Sequence, residues 1–585
     1  MKIKVLSHGK TIPARKGEVL AEVLQRSGIP LKLFCNQRGL CGKCAVEVVK
    51  GKQPELAEKE KFLWEQKILS RNKRLSCLFE IENDIEINVP FRSILSEVPI
   101  LPAVRRSSVS INPAVKKYVL DIPRPRISSP ESVLELLLEG LGMKHLKISP
   151  LLLRELGPRL GKAKYKVAVI VHRDKEIIDL RSAAEDSPIF GLAIDVGTTT
   201  LVMELVDLET GKTVDIKATL NAQASRGADV ISRITYAMSS QEKAGELRTL
   251  VLDSLNRMIR QVIEKNNILP SSVYEIVVSG NTAMNHLLLG VPVHSLAVAP
   301  YHAVFSRLPY LSGQEVGLAV HVEAKIYFSP NIKSFVGGDI ASGLLASRLD
   351  RLKGIFLFID LGTNGEIVLK TGGSLIATST AAGPAFEGMN ISCGMPAFPG
   401  AIYKAEDIAG KLKISTLGNE PAKGVCGTGL IDLIAIFLKR GEISNQGAIL
   451  NREKRLRIAN GISLTQDDIR QVQLACAAIK TGIRLMLKRN GLGEAEVDGI
   501  YIAGVFGNYL NIGNSMKIGL LPGLEKRKFL FVGNSSLAGA RQLLVSLKER
   551  ERAESLIKKV SYRTLASDPL FQDHFVKALE LKSWP

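Results

Sequence analysis

The first 90 residues alternate short apolar and polar stretches, which predicts a small domain of mixed helix and strand. A period of two predicts strands, and apolar residues every three to four positions predict helices. The predicted elements are a hairpin at 2–6 and 11–14, a helix at Glu18–Arg26, a strand at 44–51, a helix at Glu55–Lys67 and a strand within 74–90. This order suits a small mixed sheet folded over one helix.

The pattern changes after this module. Residues 91–113 are rich in Pro, Ser, Val and Arg and show neither period, which predicts a linker. This composition fits either a swinging tether or a strap packed along the next domain. The elements predicted within 114–187 are strands at 116–123, 165–173 and 175–180 and helices at 131–142 and near 150–156. From 188 to 585, apolar strands that end in glycine-rich turns recur.

Chain length, apolar segments and net charge limit the classes of protein to which the chain can belong. A chain of 585 residues is too long for one hydrophobic core and divides into several domains. The N-terminus lacks the apolar segment of a secretory signal, and no run approaches the roughly 20 apolar residues of a membrane helix, so a cytoplasmic protein without membrane contact is expected. The net charge of +20 comes from basic residues scattered singly, which disfavours nucleic acid and favours an acidic protein partner or a solvated surface.

Four of the seven cysteines lie near the N-terminus with the spacing C-x5-C-x2-C and a distant fourth. They are Cys35, Cys41, Cys44 and Cys77. Three thiolates from one loop and a fourth from a later segment are typical of a [2Fe–2S] cluster, although the plant-type pattern has one residue fewer in the first gap. Gly39 and Gly42 allow the loop to pass close to the cluster and to point its amides at the sulfides.

Two other kinds of cysteine site fit less well. Zinc is usually held by two close cysteine pairs, and only one pair is close here. A redox-active CxxC leaves Cys35 and Cys77 without a role. Residues 1–90 therefore resemble a [2Fe–2S] ferredoxin domain.

Two strand–turn–strand hairpins share one pattern, FGLAIDVGTTTLVMELVD at 190–207 and IFLFIDLGTNGEIVLK at 355–370. Each places an aspartate at a strand end, followed by glycine and threonine. Glycine turns let backbone amides and threonine hydroxyls hold phosphate oxygens, and the aspartate can hold Mg²⁺ through water ligands. Two such hairpins across a cleft can clamp the β- and γ-phosphates of a nucleotide. The predicted phosphate-binding residues are Gly197, Thr198, Thr199, Thr200, Gly362, Thr363 and Asn364.

Later glycine segments extend the predicted site. VCGTGLIDLIAIFL at 425–438 opens a helix and can seat an adenosine at the helix N-terminus. GIYIAGVFGNYL at 499–510 is a buried strand broken by glycines, and EIVVSGNTAMNHLLLG at 275–290 is its counterpart. The cofactor-binding residues predicted here are Gly427, Thr428, Gly429, Gly504 and Gly507. The GKT at 211–213 fails the spacing of a Walker A loop and is predicted to be a hairpin turn.

This constellation resembles the ATP-binding domains of the acetate and sugar kinase, heat-shock protein and actin superfamily. The segment TAAGPAFEGMNISCGMPAFPGAI at 380–402 follows the second hairpin and is predicted to be a functional loop near the cleft. With the N-terminal cysteines, it makes the whole chain resemble the reductive activators of corrinoid-dependent enzymes. The implied fold class is a multidomain α/β and α+β chain. Its parts are a β-grasp ferredoxin domain (1–90), a linker (91–113), a middle α+β domain (114–187) and a duplicated actin-, Hsp70- and sugar-kinase-like ATPase domain (188–585).

The resemblance implies an activity in anaerobic one-carbon metabolism. Such activators use ATP and an electron from their cluster to return the cobalt of a corrinoid protein from inactive Co(II) to Co(I). The implied partners are the corrinoid protein of a methyltransferase system and a low-potential donor of the ferredoxin or flavodoxin type, and a homodimer is left open. Asp195 and Asp360 are expected to position Mg²⁺ and the attacking water. Asp339, Glu366 and Glu387 are candidates to activate that water.

Two alternatives remain open at this point. One is an ATP-driven electron injector for another low-potential enzyme, like the activators of 2-hydroxyacyl-CoA dehydratases. Those proteins hold one [4Fe–4S] cluster between two subunits, which four cysteines in one N-terminal domain argue against. The other is a metabolite kinase or chaperone-like ATPase with a regulatory cluster. No peptide-binding sandwich follows the ATP-binding segment, which disfavours the chaperone.

Overall fold

A computed structural model describes residues 1–29, 31, 39, 42, 44–65, 69–90, 93, 109–124, 131–185, 187–504, 509–565 and 567–584. Within these ranges the strands form six sheets, which organise an N-terminal module, a middle domain and two larger lobes. None of the helices in this part of the chain is both long enough and apolar enough to cross a lipid bilayer.

The N-terminal module is a five-stranded mixed sheet with one helix packed on it. Its elements are β1 (Lys2–Val5), β2 (Lys10–Pro13), α1 (Leu20–Arg26), β3 (Ala45–Lys50), α2 (Glu58–Glu65), β4 (Lys73–Leu75) and β5 (Ile85–Asn88). The strand order is β2–β1–β5–β3–β4, and only the β1–β5 pair is parallel among these strands. The buried side chains of α1, Leu20, Val23 and Leu24, belong to the core of this module. The predicted mixed sheet over one helix is confirmed.

Residues 74–90 form two strands, so the single strand predicted there is wrong. The 3₁₀ turn Ser76–Leu78, which carries Cys77, follows β4 directly. Ser76 donates from its backbone N–H (3.2 Å) and its hydroxyl (2.8 Å) to the carbonyl oxygen of Cys44. The chain bends at these bonds and then crosses from one side of β3 to the other. The alternating pattern therefore belongs to two separate strands.

A buried ion pair joins β4 to α2. The Arg74 guanidinium donates to Glu60 from Nη2 (2.9 Å) and Nε (3.1 Å), and neither side chain is more than 4% exposed. The N–H of Leu75 donates to the same carboxylate at 2.7 Å. Removing one partner of such a pair leaves an uncompensated charge in the core.

We expect Glu60→Gln to destabilise the N-terminal module by about 3–5 kcal/mol, because Arg74 would keep its buried charge without a counter-charge. Urea titration followed by Trp64 fluorescence, in a chain with Trp584→Phe, measures this change. The matched control is Glu18→Gln, because Glu18 pairs with Arg26 on the surface. That change should cost much less than the change at Glu60, because solvent screens a surface pair. Equal shifts in the two variants would contradict the structural role of the buried pair.

The middle domain is a four-stranded sheet with two helices. Its elements are β6 (Val115–Asp121), α3 (Val133–Leu141), β7 (Lys147–Ile148), α4 (Pro150–Lys162), β8 (Lys166–His172) and β9 (Glu176–Ser182), and the strand order is β6–β8–β9–β7. Ser132 and Ser149 cap the two helices by accepting backbone N–H groups at 3.2 Å. The predicted α+β domain is confirmed, and β7 is a strand that its short sequence did not indicate.

Most of the predicted linker lies outside the described residues. Its last residues form a strap on the second lobe, where Asn112 accepts from the N–H of Leu547 and donates to the carbonyl of Val545. Ile111 packs so closely on Gly211 that a Cβ there would lie 2.3 Å from its Cδ1. This end of the linker is therefore a packed strap.

The first lobe (residues 188–353) contains a six-stranded sheet. Its elements are β10 (Phe190–Val196), β11 (Thr200–Asp207), β12 (Thr213–Leu220), α5 (Val230–Met238), α6 (Gln241–Lys265), β13 (Val273–Gly280), α7 (Thr282–Leu289), α8 (His294–Ala297), β14 (Leu311–Ser312), α9 (Gly313–Val316), β15 (Lys325–Phe328) and α10 (Gly338–Ser347). The strand order is β12–β11–β10–β13–β15–β14. The GKT segment lies at the turn between β11 and β12, as predicted.

The second lobe (residues 354–584) contains a second six-stranded sheet and several smaller elements. They are β16 (Phe356–Leu361), β17 (Gly365–Thr371), β18 (Ser374–Thr380), β19 (Ala401–Ile408), β20 (Lys411–Thr416), β21 (Gly424–Val425), α11 (Gly427–Lys439), β22 (Arg455–Ala459), β23 (Ile462–Thr465), α12 (Gln466–Lys488), β24 (Gly499–Ala503), α13 (Ile512–Lys517), β25 (Phe529–Gly533), α14 (Ser535–Val545), α15 (Leu547–Lys559), β26 (Val560–Tyr562) and α16 (Phe571–Ala578). The strand order of the large sheet is β26–β18–β17–β16–β24–β25.

The two large sheets repeat one topology. Each has three antiparallel strands, β10–β11–β12 or β16–β17–β18, whose first strand pairs with a later parallel strand, β13 or β24. A further parallel strand follows in each sheet, β15 or β25. The predicted duplication is confirmed.

The lobes are joined by a close crossing of α10 and α14. A Cβ at Gly539 would lie 2.2 Å from the carbonyl oxygen of Ser342, and one at Gly343 would lie 2.9 Å from the hydroxyl of Ser535. Glycine at both positions brings the two helix backbones together. This crossing places the starts of both helices at the cleft between the lobes.

Candidate functional site

A cavity of about 170 Å³ lies between the lobes, where the two hairpins meet. It is lined by both glycine turns, by the first residues of α11 and α14, and by the segment that follows β18. All five carboxylates predicted from the sequence line it: Asp195, Asp339, Asp360, Glu366 and Glu387. So do the predicted phosphate-binding residues Gly197, Thr198, Thr199, Thr200, Gly362, Thr363 and Asn364, together with Gly427, Thr428 and Gly504.

The five carboxylates come from equivalent and neighbouring elements. Asp195 and Asp360 occupy β10 and β16 near the hairpin turns, and Glu366 pairs directly with Asp360 across the second hairpin. Asp339 lies in the first turn of α10, and Glu387 ends the 3₁₀ turn Pro384–Glu387. Strands that end at one edge of a sheet bring such side chains together.

The surroundings in the cleft raise the pKa of all five carboxylates. Burial, followed by the neighbouring carboxylates Asp339, Asp195 and Glu387, raises the pKa of Asp360 to about 8. Burial and Asp195 raise the pKa of Asp339 to about 7, and burial with Asp339 raises the pKa of Glu366 well above its usual value. Burial also raises the pKa of Asp195 and Glu387, against hydrogen bonds that lower it. Burial and mutual repulsion thus make the charged forms of these acids less stable in the cleft than in water.

Asp195 is held by residues that the sequence analysis did not select. Asn534 Nδ2 and Ser536 Oγ, at the start of α14, donate to its two carboxylate oxygens at 2.8 and 2.7 Å. Ser536 also contacts Ser279 of the first lobe at 3.0 Å. A sequence pattern could have identified them, because VGNSS at 532–536 repeats the strand–Gly–Asn–hydroxyl pattern of VSGNT at 278–282.

Buried side chains hold the backbone of the first hairpin turn in place. A Cβ at Gly197 would lie 2.6 Å from the carbonyl of Thr200, so the turn requires glycine. Arg233, fully buried, donates to the carbonyl of Thr198 at 2.5 Å, and Asn221 Nδ2 donates to the carbonyl of Gly197 at 2.9 Å. These bonds leave the threonine hydroxyls on the cavity side of the turn.

The remaining predicted glycines have different surroundings. Gly504 has φ +102° and lies against Asp360, with only 3.2 Å from a Cβ to the carboxylate oxygen, so a larger residue is excluded. Gly429 does not line the cavity; it packs under Ile402, whose carbonyl would lie 2.2 Å from a Cβ. Its role is to seat α11 on β19. Gly507 lies outside the described residues.

One wall of the cavity is apolar and aromatic. Tyr403 and Tyr509 meet edge to face, with ring centroids 4.9 Å apart. Met395, Pro396, Ala397 and Leu417 complete this wall. The 380–402 segment thus lies at the cleft, and its apolar residues form part of the wall. These residues give the cavity an apolar and aromatic part in addition to the polar glycine turns.

Two of the four predicted cluster cysteines are described. Cys44 and Cys77 are buried in the N-terminal module and are joined through the bonds of Ser76 to the Cys44 carbonyl. Gly39 and Gly42 have positive φ, and a Cβ at Gly39 would lie 2.5 Å from the side chain of Leu78, so Gly39 packs tightly on the turn that carries Cys77. Cys35 and Cys41 lie outside the described residues.

This arrangement fits a cysteine-ligated iron–sulfur cluster. Two buried thiols lie on adjoining segments, and Gly39 packs on the turn that carries one of them. Across the described residues no group of three or more His, Cys, Asp or Glu side chains is arranged to hold a metal ion.

Four family models match consecutive parts of the chain. They are a 2Fe-2S iron-sulfur cluster binding domain over 3–82, the RACo linker region over 104–187, the RACo middle region over 190–352 and the C-terminal domain of RACo, the ASKHA domain, over 354–584. Fold and matches together define the class, an iron–sulfur protein built on a duplicated ASKHA-type fold.

Two similar proteins cover nearly the full length of this chain, and a third covers about two thirds of it. A reductive activator for a corrinoid, iron–sulfur protein has a solved structure with a TM-score of 0.76 and 34% identity, covering 99% of this chain and 98% of that one. The corrinoid activation enzyme RamQ of Eubacterium limosum is 30% identical over 97% of this chain and 96% of its own length. A reductase of the Co(II) methylated amine-specific corrinoid protein of Methanosarcina barkeri is 27% identical over 68% of this chain and 77% of its own. The chain belongs to the RACo family.

The clustered carboxylates predict a pH dependence of stability. Because the pKa of Asp360 is about 8 in the folded chain and near 3.8 otherwise, the folded state holds this proton more tightly. The stability that this group contributes is therefore present at low pH and is lost as pH rises through about 8. Without Mg²⁺ or nucleotide, Asp360→Asn should gain thermal stability over the wild type progressively between these two values. The exposed Asp253→Asn is the control, and a difference in melting temperature that does not vary with pH would contradict the expectation.

The cysteine arrangement predicts which thiols hold iron. Cys44→Ser and Cys77→Ser should each lower bound iron, acid-labile sulfide and visible absorbance, because each removes one of four thiolate ligands. Cys476→Ser, a change at a buried thiol of α12, is the control and should keep the wild-type iron content. Full iron in both N-terminal variants would show that other residues hold the cluster.

Proposed function

We propose that this chain is an ATP-dependent reductive activator that transfers one electron to the Co(II) corrinoid of a methyltransferase-system protein and so restores Co(I). The observation that carries the proposal is the cavity in which two equivalent Asp-x-Gly-Thr hairpins meet, in a chain that also has a ferredoxin-type module. Two relatives are named for activating or reducing corrinoid proteins, which supports the same substrate class here.

The cavity supports ATP as the nucleotide. Amides and hydroxyls of the two turns suit phosphate oxygens, and Tyr403 and Tyr509 suit a flat purine. Asp195 and Asp360 approach from the two hairpins, and we assign them to Mg²⁺ through its water ligands. The bound Mg²⁺ would place positive charge near the five carboxylates, and the phosphates of ATP would place negative charge near the amides and hydroxyls of the two turns.

One of the carboxylates is suited to accept a proton from water. A general base works best when its pKa is near the working pH. Asp339, with a pKa of about 7, meets this condition, and it lies at the start of α10 on the cavity wall. We therefore assign the activation of the attacking water to Asp339 and prefer it to Glu366 for this role.

Cys35, Cys41, Cys44 and Cys77 would hold a [2Fe–2S] cluster, which when bound supplies one electron at a time. Burial of Cys44 and Cys77 excludes water from two of these ligands. The scattered positive charge of residues 1–187, 34 Lys and Arg against 22 Asp and Glu, suits acidic partner proteins. A low-potential ferredoxin or flavodoxin is the class of donor that this module would meet.

Electron transfer from the cluster to Co(II) is energetically uphill, which is why it would be coupled to ATP. Plant-type clusters have potentials near about −400 mV, and Co(I) corrinoids are stronger reductants than that. Each step of ~100 mV uphill costs about 2.3 kcal/mol per electron. ATP offsets this cost only if it binds one state of the complex more tightly than the other, because coupling is a difference between binding free energies. The cleft between the lobes is the place where such a difference can arise.

Reduction of a corrinoid partner tests the proposal directly. Full-length protein, Ti(III) citrate and a purified Co(II) corrinoid protein from a methyltransferase system should form Co(I), measured by its visible absorbance, only when Mg²⁺–ATP is present. Asp360→Ala should lower that rate at least about a hundredfold, since it removes a carboxylate that we assign to the hydrated Mg²⁺ at the phosphates. Its visible cluster spectrum should stay that of the wild type.

Asp253→Ala, an exposed change on α6, controls for the loss of one carboxylate and should retain the full rate. Formation of Co(I) at the same rate without ATP would refute the coupling. Phosphorylation of a small molecule without any Co(I) would instead indicate a kinase.

A further inference from the structure

The carboxylate of Glu387 already occupies an anion-binding position between the two hairpins. It accepts hydrogen bonds from the hydroxyl of Thr199 in the first lobe and, at 2.9 Å, from that of Thr363 in the second. The backbone N–H of Thr363 also donates to it, and its charge interacts with buried Arg233. The two hydroxyls are 3.4 Å apart. Three donors from two turns thus converge on one acidic group.

These donors are the ones that a terminal phosphate would use. Carboxylate and phosphate oxygens are both acceptors, so they cannot share the same hydroxyl protons, and two negative groups at this distance repel each other. A nucleotide with a terminal phosphate between the turns must therefore displace Glu387. A nucleoside monophosphate does not reach this position and has no such requirement.

Glu387 is rigidly connected to a folded segment, residues 384–395. Gly388 follows at φ +76°, with the backbone of Met395 2.4 Å from where its Cβ would be, so the segment closes on itself. Met389 is fully buried and packs with Ala224 and Ala228 of the first lobe. Movement of Glu387 would therefore be carried through the whole segment.

The far side of the same segment reaches the surface. Asn390 and Ser392 are exposed, and Ser392 donates from its N–H (2.6 Å) and hydroxyl (2.5 Å) to Asp468 at the start of α12. Displacing Glu387 would thus alter a surface between the first lobe and α12. The segment connects the phosphate position in the cleft with a surface that another protein can contact.

We propose that Glu387 is an internal competitor of the terminal phosphate, and that its displacement by ATP moves the 384–395 segment and reports nucleotide binding at the surface. This inference rests on the proposed ATP site and adds the element that moves. It gives Glu387 a role as a displaced occupant, in place of activating water.

Binding of AMP-PNP and AMP, each with Mg²⁺, to the full-length protein tests this idea by calorimetry. Glu387→Ala should tighten AMP-PNP binding about tenfold or more, because the hydroxyls no longer have to leave an internal acceptor. Glu387→Gln should tighten it less, because the amide oxygen still accepts from the threonines. AMP affinity should not change in either variant. Glu406→Ala, at a half-buried glutamate of β19 that pairs with Lys404, controls for net charge and should bind like the wild type.

Hydrogen exchange supplies an independent readout. AMP-PNP should speed amide exchange of residues 384–395 in the wild type, and Glu387→Ala should show that faster exchange without nucleotide. Unchanged AMP-PNP affinity and exchange in the Ala variant, with wild-type binding intact, would overturn the inference. Weaker AMP-PNP binding by that variant would overturn it too, because Glu387 would then be a ligand of the nucleotide complex. Failure of the wild type to bind AMP-PNP would instead refute the ATP site itself.

Discussion

The glycine contact between α10 and α14 is the constraint on which the cleft depends. Gly539 meets the backbone of Ser342 directly, so the two helices cross at a fixed point. Asp339 lies at the start of one helix, and Asn534 and Ser536 lie at the start of the other. A side chain at the crossing would separate the helices and move groups on both sides of the cavity. Backbone packing at one point therefore sets the distances at which the cleft works.

Repulsion among the clustered carboxylates of the cleft destabilises the folded protein, and the rest of the fold must offset this. Five carboxylates lie around one cavity, and their raised pKa values show that each is less stable as an anion there than in water. The two lobes and their large apolar cores hold the acids in place. Sites that await a charged ligand commonly carry this kind of strain. Binding of a cation would relieve it, because the positive charge would offset that of the carboxylates.

Much of the fold and the polar half of the cleft could be predicted from sequence, because the information there is local. A strand, an aspartate and a glycine turn appear within a few residues, and duplication repeats the pattern. Asn534 and Ser536 were missed because their partner, Asp195, is more than 300 positions away in the chain. Tyr403 and Tyr509 come together only after the second lobe folds. The single strand predicted at 74–90 was wrong because the period of two does not show where a chain crosses a sheet.

The strap at Asn112 limits how far the ferredoxin module can travel. Ser93 is bonded to Ala45 within that module, and Asn112 is bonded to the junction of α14 and α15. Sixteen peptide units separate Ser93 from Val109, and a fully extended chain of this length spans about 55 Å. Ser93 therefore stays within about 55 Å of Val109, and the ferredoxin module stays attached within that reach of the helix whose first residues hold Asp195.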